Sequence, residues 1–413
     1  MRLANKKHYI IAISQSVSIQ RTGKQASFTG RIASIGGESV RRLFLLMVLL
    51  VFVGAASATD YYVATWGDNT TEGNFTHPWQ NVSYATQQVV AGDTIYLFDG
   101  TWYDEYAIFA NSGNATHPIT LTAYNGTPTM DGVDKTGKGV SLNYNDHIKV
   151  SHLTIRRYMQ TICHPGSYIH ISDCDLSDTG DVVIVISQYN STHNTIENCT
   201  LYDSGWNTIQ MSGNREPPNG NGIPATYITV RNCTIYNSTQ HGAIDLFGNL
   251  QNVTIEGNEL YSNPAGCIYE HSDPDHREYV TIRDNYFHDT QSSAIDIGAN
   301  SYYEIYNNTF ENMPSNWPIY LYCNAHDYEI YNNSFYNCMS PRTVGGYNFV
   351  FDRNYVHTDS GVPMFSYGSN GTVRNPLGKK QLKVVYSNAT ADVEFDDGTL
   401  FTATFGAHQS IHL

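Results

Sequence analysis

One spelling of apolar and polar positions, Val253-Thr254-Ile255-Glu256-Gly257-Asn258-Glu259-Leu260-Tyr261, recurs at least nine times between about residues 146 and 357. Aligned on Asn258, the copies fall at Leu153, Cys174, Cys199, Cys233, Asn258, Asn285, Asn308, Asn333 and Asn354. The steps of 21, 25, 34, 25, 27, 23, 25 and 21 residues lie in the range where one supersecondary unit stacks on the next. Each copy holds two short alternating strands hinged at a polar residue, as in Val280 and Ile282, then Asn285, then Phe287. A third apolar run such as Ala294-Ile295-Asp296-Ile297 follows. Period-two alternation buries one face of a strand. One turn of three short strands cannot bury that face alone, so it must stack on copies of itself. The expected fold is all-β: a single-stranded parallel β-helix with three strands per turn and about ten or more turns.

Parallel stacking sets equivalent residues of successive turns about 4.8 Å apart, so columns of like side chains become ladders. Asn258, Asn285, Asn308, Asn333 and Asn354 form an inward asparagine ladder in this reading, continued by Cys174, Cys199 and Cys233 as small fillers. Outside, Glu197, Arg231, Glu256 and Arg283 alternate in sign down one column, where opposite charges on neighbouring strands pair. That column reads as structural.

The pattern, asparagine ladder included, resembles the right-handed parallel β-helix of the pectate-lyase-like superfamily over roughly residues 59–375. The opening Tyr61-Tyr62-Val63, then Pro78-Trp79, Ala91-Gly92-Asp93-Thr94-Ile95-Tyr96 and Asp99-Gly100-Thr101-Trp102-Tyr103 is similar to the amino-terminal turn of many secreted polysaccharide lyases and surface β-helix proteins. The resemblance implies the fold. It does not choose a reaction, because this scaffold hosts lyases, hydrolases, epimerases and adhesins.

Arg41-Arg42, an apolar stretch over 43–53 and the exit Ala56-Ser57-Ala58 read as a secretory signal cut after Ala58. The apolar run is short for a membrane span, which needs about 20 residues. The expected organisation is a leader and signal at 1–58, an N-terminal cap and first turn at 59–110, repeats at 111–375, and a C-terminal β cap or the start of a further module at 376–413. Within the cap, Val82, Ala85 and Val89 make a short helical stripe ending at Gly92, placed to plug the open end of the solenoid. In the last segment, residues 382–386 and 393–395 with Asp396-Asp397-Gly398 read as antiparallel strands.

Asn-x-Ser/Thr sequons at Asn69, Asn74, Asn81, Asn114, Asn125, Asn190, Asn237, Asn370 and Asn388 fit export to a glycosylating surface. Asn198, Asn232, Asn307 and Asn332 belong to the repeat itself. Seven cysteines make an odd number without paired spacing, so most read as buried thiols. A net charge of −15 with few lysines offers no basic stripe for nucleic acid. It also disfavours a strongly anionic glycan unless calcium intervenes. With charged residues at only 15% and Tyr, Asn, Thr and Gly plentiful, the surface suits hydroxyl-rich partners.

In the superfamily, the strand after the long turn faces the substrate groove. Here those strands are 208–211, 243–246, 267–270, 294–297 and 318–321, and their middle outward positions give the column Gln210, Asp245, Tyr269, Asp296 and Tyr320. Two elaborated exits rise beside Asp245: residues 212–220, carrying Arg215, and residues 270–277, carrying Glu270, His271, Asp273 and Asp275. Asp245 and Asp296 lie two turns apart with Tyr269 between, about 9 to 10 Å at the backbone, near the upper end of the separation in inverting glycosidases. One carboxylic acid can then protonate the leaving oxygen while the other activates water, with His241 and His271 tuning the acid or binding a hydroxyl. Trp206, Tyr269, Trp317, Tyr320 and Tyr322 suit stacking on sugar rings.

A uronate lyase or epimerase requires a base beside the carboxylate. Lys135, Lys138, Lys149, Lys379, Lys380 and Lys383 fall away from the groove centre, leaving Arg215, Arg277 and Arg342. Asp273 and Asp275 are the only calcium candidates, and two carboxylates do not make a calcium site. The leading expectation is a secreted or cell-surface protein that cleaves or modifies an extracellular polysaccharide, with no stable membrane span once the signal is removed. Its rival is a non-catalytic adhesin or envelope component that binds a cell-envelope glycan.

Overall fold

The computed structural model describes residues 58–186, 191–213, 223–270, 277–298, 301–322, 325–339 and 341–356, with strands among 364–412. All belong to one compact unit spanning Ala56–Leu413. The leader and signal segment therefore lies outside the described residues, as do Arg215, His271, Asp273 and Asp275. Among the described residues, no helix is long and apolar enough to cross a membrane.

The chain coils through three sheets of 15, 12 and 13 strands, visiting them in the same order from Thr94–Leu97 to Ala389–Glu394. The first sheet begins with Asp60–Val63, the second with Thr101–Tyr103 and the third with Ala107–Ile108. Pairing is parallel within each sheet down to Ala389–Glu394. It reverses only where Leu400–Phe405 folds back on Ala389–Glu394 and Ser410–His412 on Gln381–Val385. Asp396-Asp397-Gly398 thus lies between the strands of the first reversal. Gln381–Val385, which overlaps the 382–386 stretch expected to be antiparallel, pairs in parallel with Met364–Ser366 on one side and antiparallel with Ser410–His412 on the other. The rung spacing alone carries a parallel ladder on for as long as the apolar positions stay in step.

A left-handed residue lets short strands bend without losing register. Asp173, Asn198, Asn232, Gly257, Asp284, Asn307 and Asn332, each just before the ladder position, are left-handed, with φ between 53° and 63°. Asn, Asp and Gly tolerate that region best. Past this kink the ladder closes. Asn258 donates from Nδ2 to Asn285 Oδ1 at 3.0 Å and to the Val230 carbonyl at 3.0 Å. The same links join Asn285 to Asn308, Asn308 to Asn333 and Asn333 to Asn354, each 3.0 Å. Above it, Cys233 donates its backbone N–H to Asn258 Oδ1, and the Cys174, Cys199 and Cys233 thiols are buried and free. Cys163 and Cys267 are likewise free and buried, and Cys338 is buried.

The core is a set of vertical files. Ile196, Val230, Ile255, Ile282, Ile305 and Ile330 lie in register in the first sheet and are buried. Phe287, Phe310 and Phe335 stack at 5.0 Å in the second. Outside, Arg231 pairs with Glu197 at 2.5 Å and Arg283 with Glu256, as the alternating column requires. The N-terminal helix, Val82–Gln88, buries Val82, Ala85 and Thr86. Glu105 caps its first turn, accepting the Ser83 N–H at 3.0 Å and the Asn81 amide.

Candidate functional site

The third sheet brings Val185, Gln210, Asp245, Tyr269, Asp296, Tyr320 and Arg342 into one file, each paired in register with the next. In this sheet Ile209, Ile244, Ile268, Ile295 and Ile319 point inward, so the next residue of each strand faces outward. Gly213 and Gly248 follow Ile209–Ser212 and Ile244–Phe247 and pack backbone to backbone. A Cβ on Gly213 would stand 1.7 Å from the Asn249 carbonyl oxygen. The strand exits around Asp245 are held tightly for that reason.

The two carboxylates sit in unlike surroundings. Asp245 is 1% exposed, and its Oδ2 accepts a hydrogen bond from Asn207 Nδ2 at 2.8 Å. Asn207 is itself buried, in the turn before its strand, and nothing in the repeat pattern singled it out. Asp296 is half-buried and has no hydrogen bond or ion pair among the described residues. Burial alone lifts its carboxyl to about 6. A group so placed is protonated well above the usual carboxylate range, which suits a proton donor. Between them, the Tyr269 phenol is pushed up, first by burial and then by the charges of Asp296 and Asp245.

Aromatic rings flank the pair. The Trp206 ring, 38% exposed, packs 4.2 Å from His241, whose ring meets Tyr269 edge-on at 5.9 Å. On the far side Tyr320 stacks between Trp317 at 4.9 Å and Tyr322 at 5.4 Å. The Arg342 guanidinium lies 4.5 Å over the Trp317 ring. Trp317 Nε1 is buried without an acceptor.

Glu270, expected on the groove wall, is turned the other way. It is fully buried and pairs with the equally buried Arg277, Nε to Oε1 at 2.5 Å. Tyr303 donates to its other oxygen at 3.3 Å, and Arg277 Nη1 donates to the Gly248 carbonyl at 3.0 Å. Burial pushes the Glu270 carboxyl up to about 7, against the pull of Arg277. The cause is alternation: Tyr269 faces out, so Glu270 faces in, at the rung position that Leu246 holds on the turn before. Only its carbonyl is available on the groove side, and it accepts the Tyr322 hydroxyl at 3.0 Å. Arg277, left open as a lyase base, is excluded from the groove by the same burial.

Lys138 lies on the third sheet four strands before Asp245, and its Nζ is 3.1 Å from His164 Nε2. His164 Nδ1 lies 3.1 Å from Ser141 Oγ, and burial followed by the Lys138 charge holds its pKa below the ordinary value. Among the described residues no cluster of three or more His, Cys, Asp or Glu is arranged to hold a metal ion. Asp245 and Asp296, kept apart by Tyr269, do not supply one, and no step below is routed through calcium.

The chain belongs to the Pel9A-like right-handed β-helix family, whose model matches residues 61–273. A second model, for right-handed β-helix regions, matches residues 220–377. Pectate lyase PEL9 of Emericella nidulans is 35% identical over 91 residues, a match spanning 22% of this chain and 22% of that one. Among solved structures, a GH136 lacto-N-biosidase from Eubacterium ramulus is similar over 82% of this chain and 67% of its own, at 12% identity and a TM-score of 0.50. PfbA, a surface adhesin of Streptococcus pneumoniae, is similar over 76% of this chain and 84% of its own, at 14% identity and a TM-score of 0.50. Likeness at such identities speaks of the fold alone.

Proposed function

We propose that this protein is an exported, carbohydrate-active β-helix that cleaves a polysaccharide laid along the third sheet, with Asp296 as the proton donor. The observation that carries the reading is the Asp296 carboxyl: half-buried, unpartnered among the described residues, lifted to about 6, and in file with a second carboxylate two rungs away. Two rungs is about 9 to 10 Å, which leaves room for sugar and water between the acids. Asp296 gives its proton to the leaving oxygen, and Asp245, oriented by Asn207, takes the proton of the attacking water. The Trp206, Tyr320 and Trp317 rings offer apolar faces to the pyranose C–H surface on either side. The lyase match over 91 residues supports a polysaccharide as the substrate class, and the signal-like segment supports export.

A non-catalytic glycan-binding role is favoured by one observation, the near-complete burial of Asp245. An elimination is less well supplied, since Arg277 is buried against Glu270, the Arg342 guanidinium lies over the Trp317 ring, and Lys138, four strands from Asp245, already engages His164. One experiment separates the three: incubate the mature chain with neutral and uronic glycans and follow reducing ends, unsaturated ends and retention. New reducing ends that vanish in Asp296→Asn support the proposal. Unsaturated ends, or binding without products, reject it.

A further inference from the structure

The outer face of the first sheet carries a second file with no counterpart in the reading above. At mid-strand on successive rungs lie His193, Tyr227, Asn252, Tyr279, Tyr302 and Asp327, each left-handed with φ between 55° and 60°. The residues on either side of each pair in register, so these six stand one above another. Four of the six are Tyr or His, which bear a steric cost of roughly 1–2 kcal/mol apiece in that conformation. Strain accepted repeatedly on an exposed face points to use.

The rings make a stack with a gap. His147, Tyr168, His193 and Tyr227 follow one another at 4.5, 4.9 and 4.7 Å with nearly parallel planes. The stack resumes at Tyr279 and Tyr302, 5.2 Å apart. Between Tyr227 and Tyr279 the rung holds Asn252. These two tyrosines are each 52% exposed and stand two rungs apart, about 9.6 Å. That is twice the stacking spacing, the room for one ring. The slot opens into a groove of about 850 Å³ floored by the outward hydroxyls of Thr229, Thr254 and Thr281.

We infer that this groove is a second glycan-binding site, which takes an uncharged saccharide with one pyranose held between Tyr227 and Tyr279 and its glycosidic bonds leaving the slot across the solenoid axis. The argument for a saccharide is the combination. Two ring faces meet the C–H faces of a sugar, and the threonine hydroxyls of three successive rungs with the Asn252 amide offer hydrogen-bond partners to its hydroxyls. The sign of the charge excludes a uronate or sulfated chain. The groove lining carries Glu304, Asp327 and Glu329 and no Lys or Arg. The site shares no residue with the Asp245 and Asp296 file, so it stands whether or not that file is catalytic.

The test is affinity electrophoresis of the intact chain through gels carrying a neutral β-glucan, a neutral galactomannan or polygalacturonate. The decisive variant is Asn252→Tyr, which fills the slot and completes the stack. Tyr279→Ala, which opens it, guards against a misfolded first variant. We expect retardation in at least one neutral gel, weakened tenfold or more by each of the two variants, and no slot-dependent retention by polygalacturonate. No retardation in either neutral gel, unchanged retardation in both slot variants, or polygalacturonate retention that the slot variants weaken overturns the inference.

Discussion

The asparagine ladder and the third-sheet file are built on the same rung spacing, yet they treat polar atoms in opposite ways. In the ladder, Asn308 Nδ2 donates to the Ile282 carbonyl and to Asn333 Oδ1, while its own Oδ1 accepts from the Asn285 backbone and amide. Every capacity of the buried amide is used. Two sheets away, Asp296 is half-buried with no partner among the described residues, and Trp317 Nε1 has no acceptor. Folding explains the first arrangement, because an unmade buried hydrogen bond costs about 1–3 kcal/mol. It does not explain the second. The contrast separates residues that hold the coil together from those held ready by it.

Substitutions at four positions break or sharpen that contrast. The largest effect is expected at Asp296→Asn, which removes the proton and keeps the shape. Hydrolysis of the identified glycan falls on the order of 10²–10⁴-fold in kcat, and activity within twofold of the parent refutes the acid assignment. Next is the buried pair. Arg277→Leu leaves the Glu270 charge uncompensated and costs about 3–5 kcal/mol in denaturant unfolding, whereas Glu270→Leu with Arg277→Leu together returns to near the parent. The double variant copies Leu246 and Leu250, which hold the same two register positions one turn earlier. Asn308→Ala strands ladder donors and acceptors above and below it and costs about 1–3 kcal/mol, with the similarly sized, amide-free Asn308→Leu no better. A melting temperature unchanged in both would make the ladder ornamental.

The smallest effect is a pH dependence. The Asp296 carboxyl is raised to about 6 when folded, so the folded chain binds its proton more tightly than the unfolded chain. The stability linked to that proton is fully present below the ordinary carboxylate pKa, near 4, and is lost as pH rises through about 6. A two-unit shift sets a ceiling of about 2–3 kcal/mol, and partial exposure brings the real figure below it. Asp296→Asn should therefore be the more stable protein at pH 8 and lose its advantage at pH 4. The same ranking at both values contradicts the shift.

Much of this was legible in the sequence, because a parallel coil turns spacing into contact. The Asn258 to Asn354 ladder, the Glu197 to Arg283 column and the file from Gln210 to Tyr320 all follow from repeat alignment and period-two alternation. What alignment alone leaves out is burial within a file. Asp245 and Asp296 hold equivalent positions, but Asn207 and its turn reach only the first. Glu270 shows a signal that was present and outweighed. Alternation from Ile268 through Tyr269 already turns it inward, and repeat alignment sets Arg277 at the register position of Leu250, but both flank an elaborated loop of the kind that carries function. The Tyr227 to Tyr302 file was hidden for another reason. Its side chains point outward only because each rung kinks into a left-handed residue, which a strict in-and-out reading of the strand does not anticipate.

The most direct test is the titration of Asp296 itself, read by carbon NMR of the aspartate side-chain carboxyls in the mature chain, with the resonance assigned by its loss in Asp296→Asn. A midpoint near 6 is the predicted result. A midpoint near 4 would show an ordinary solvated carboxylate and remove the proton donor on which the proposed cleavage depends.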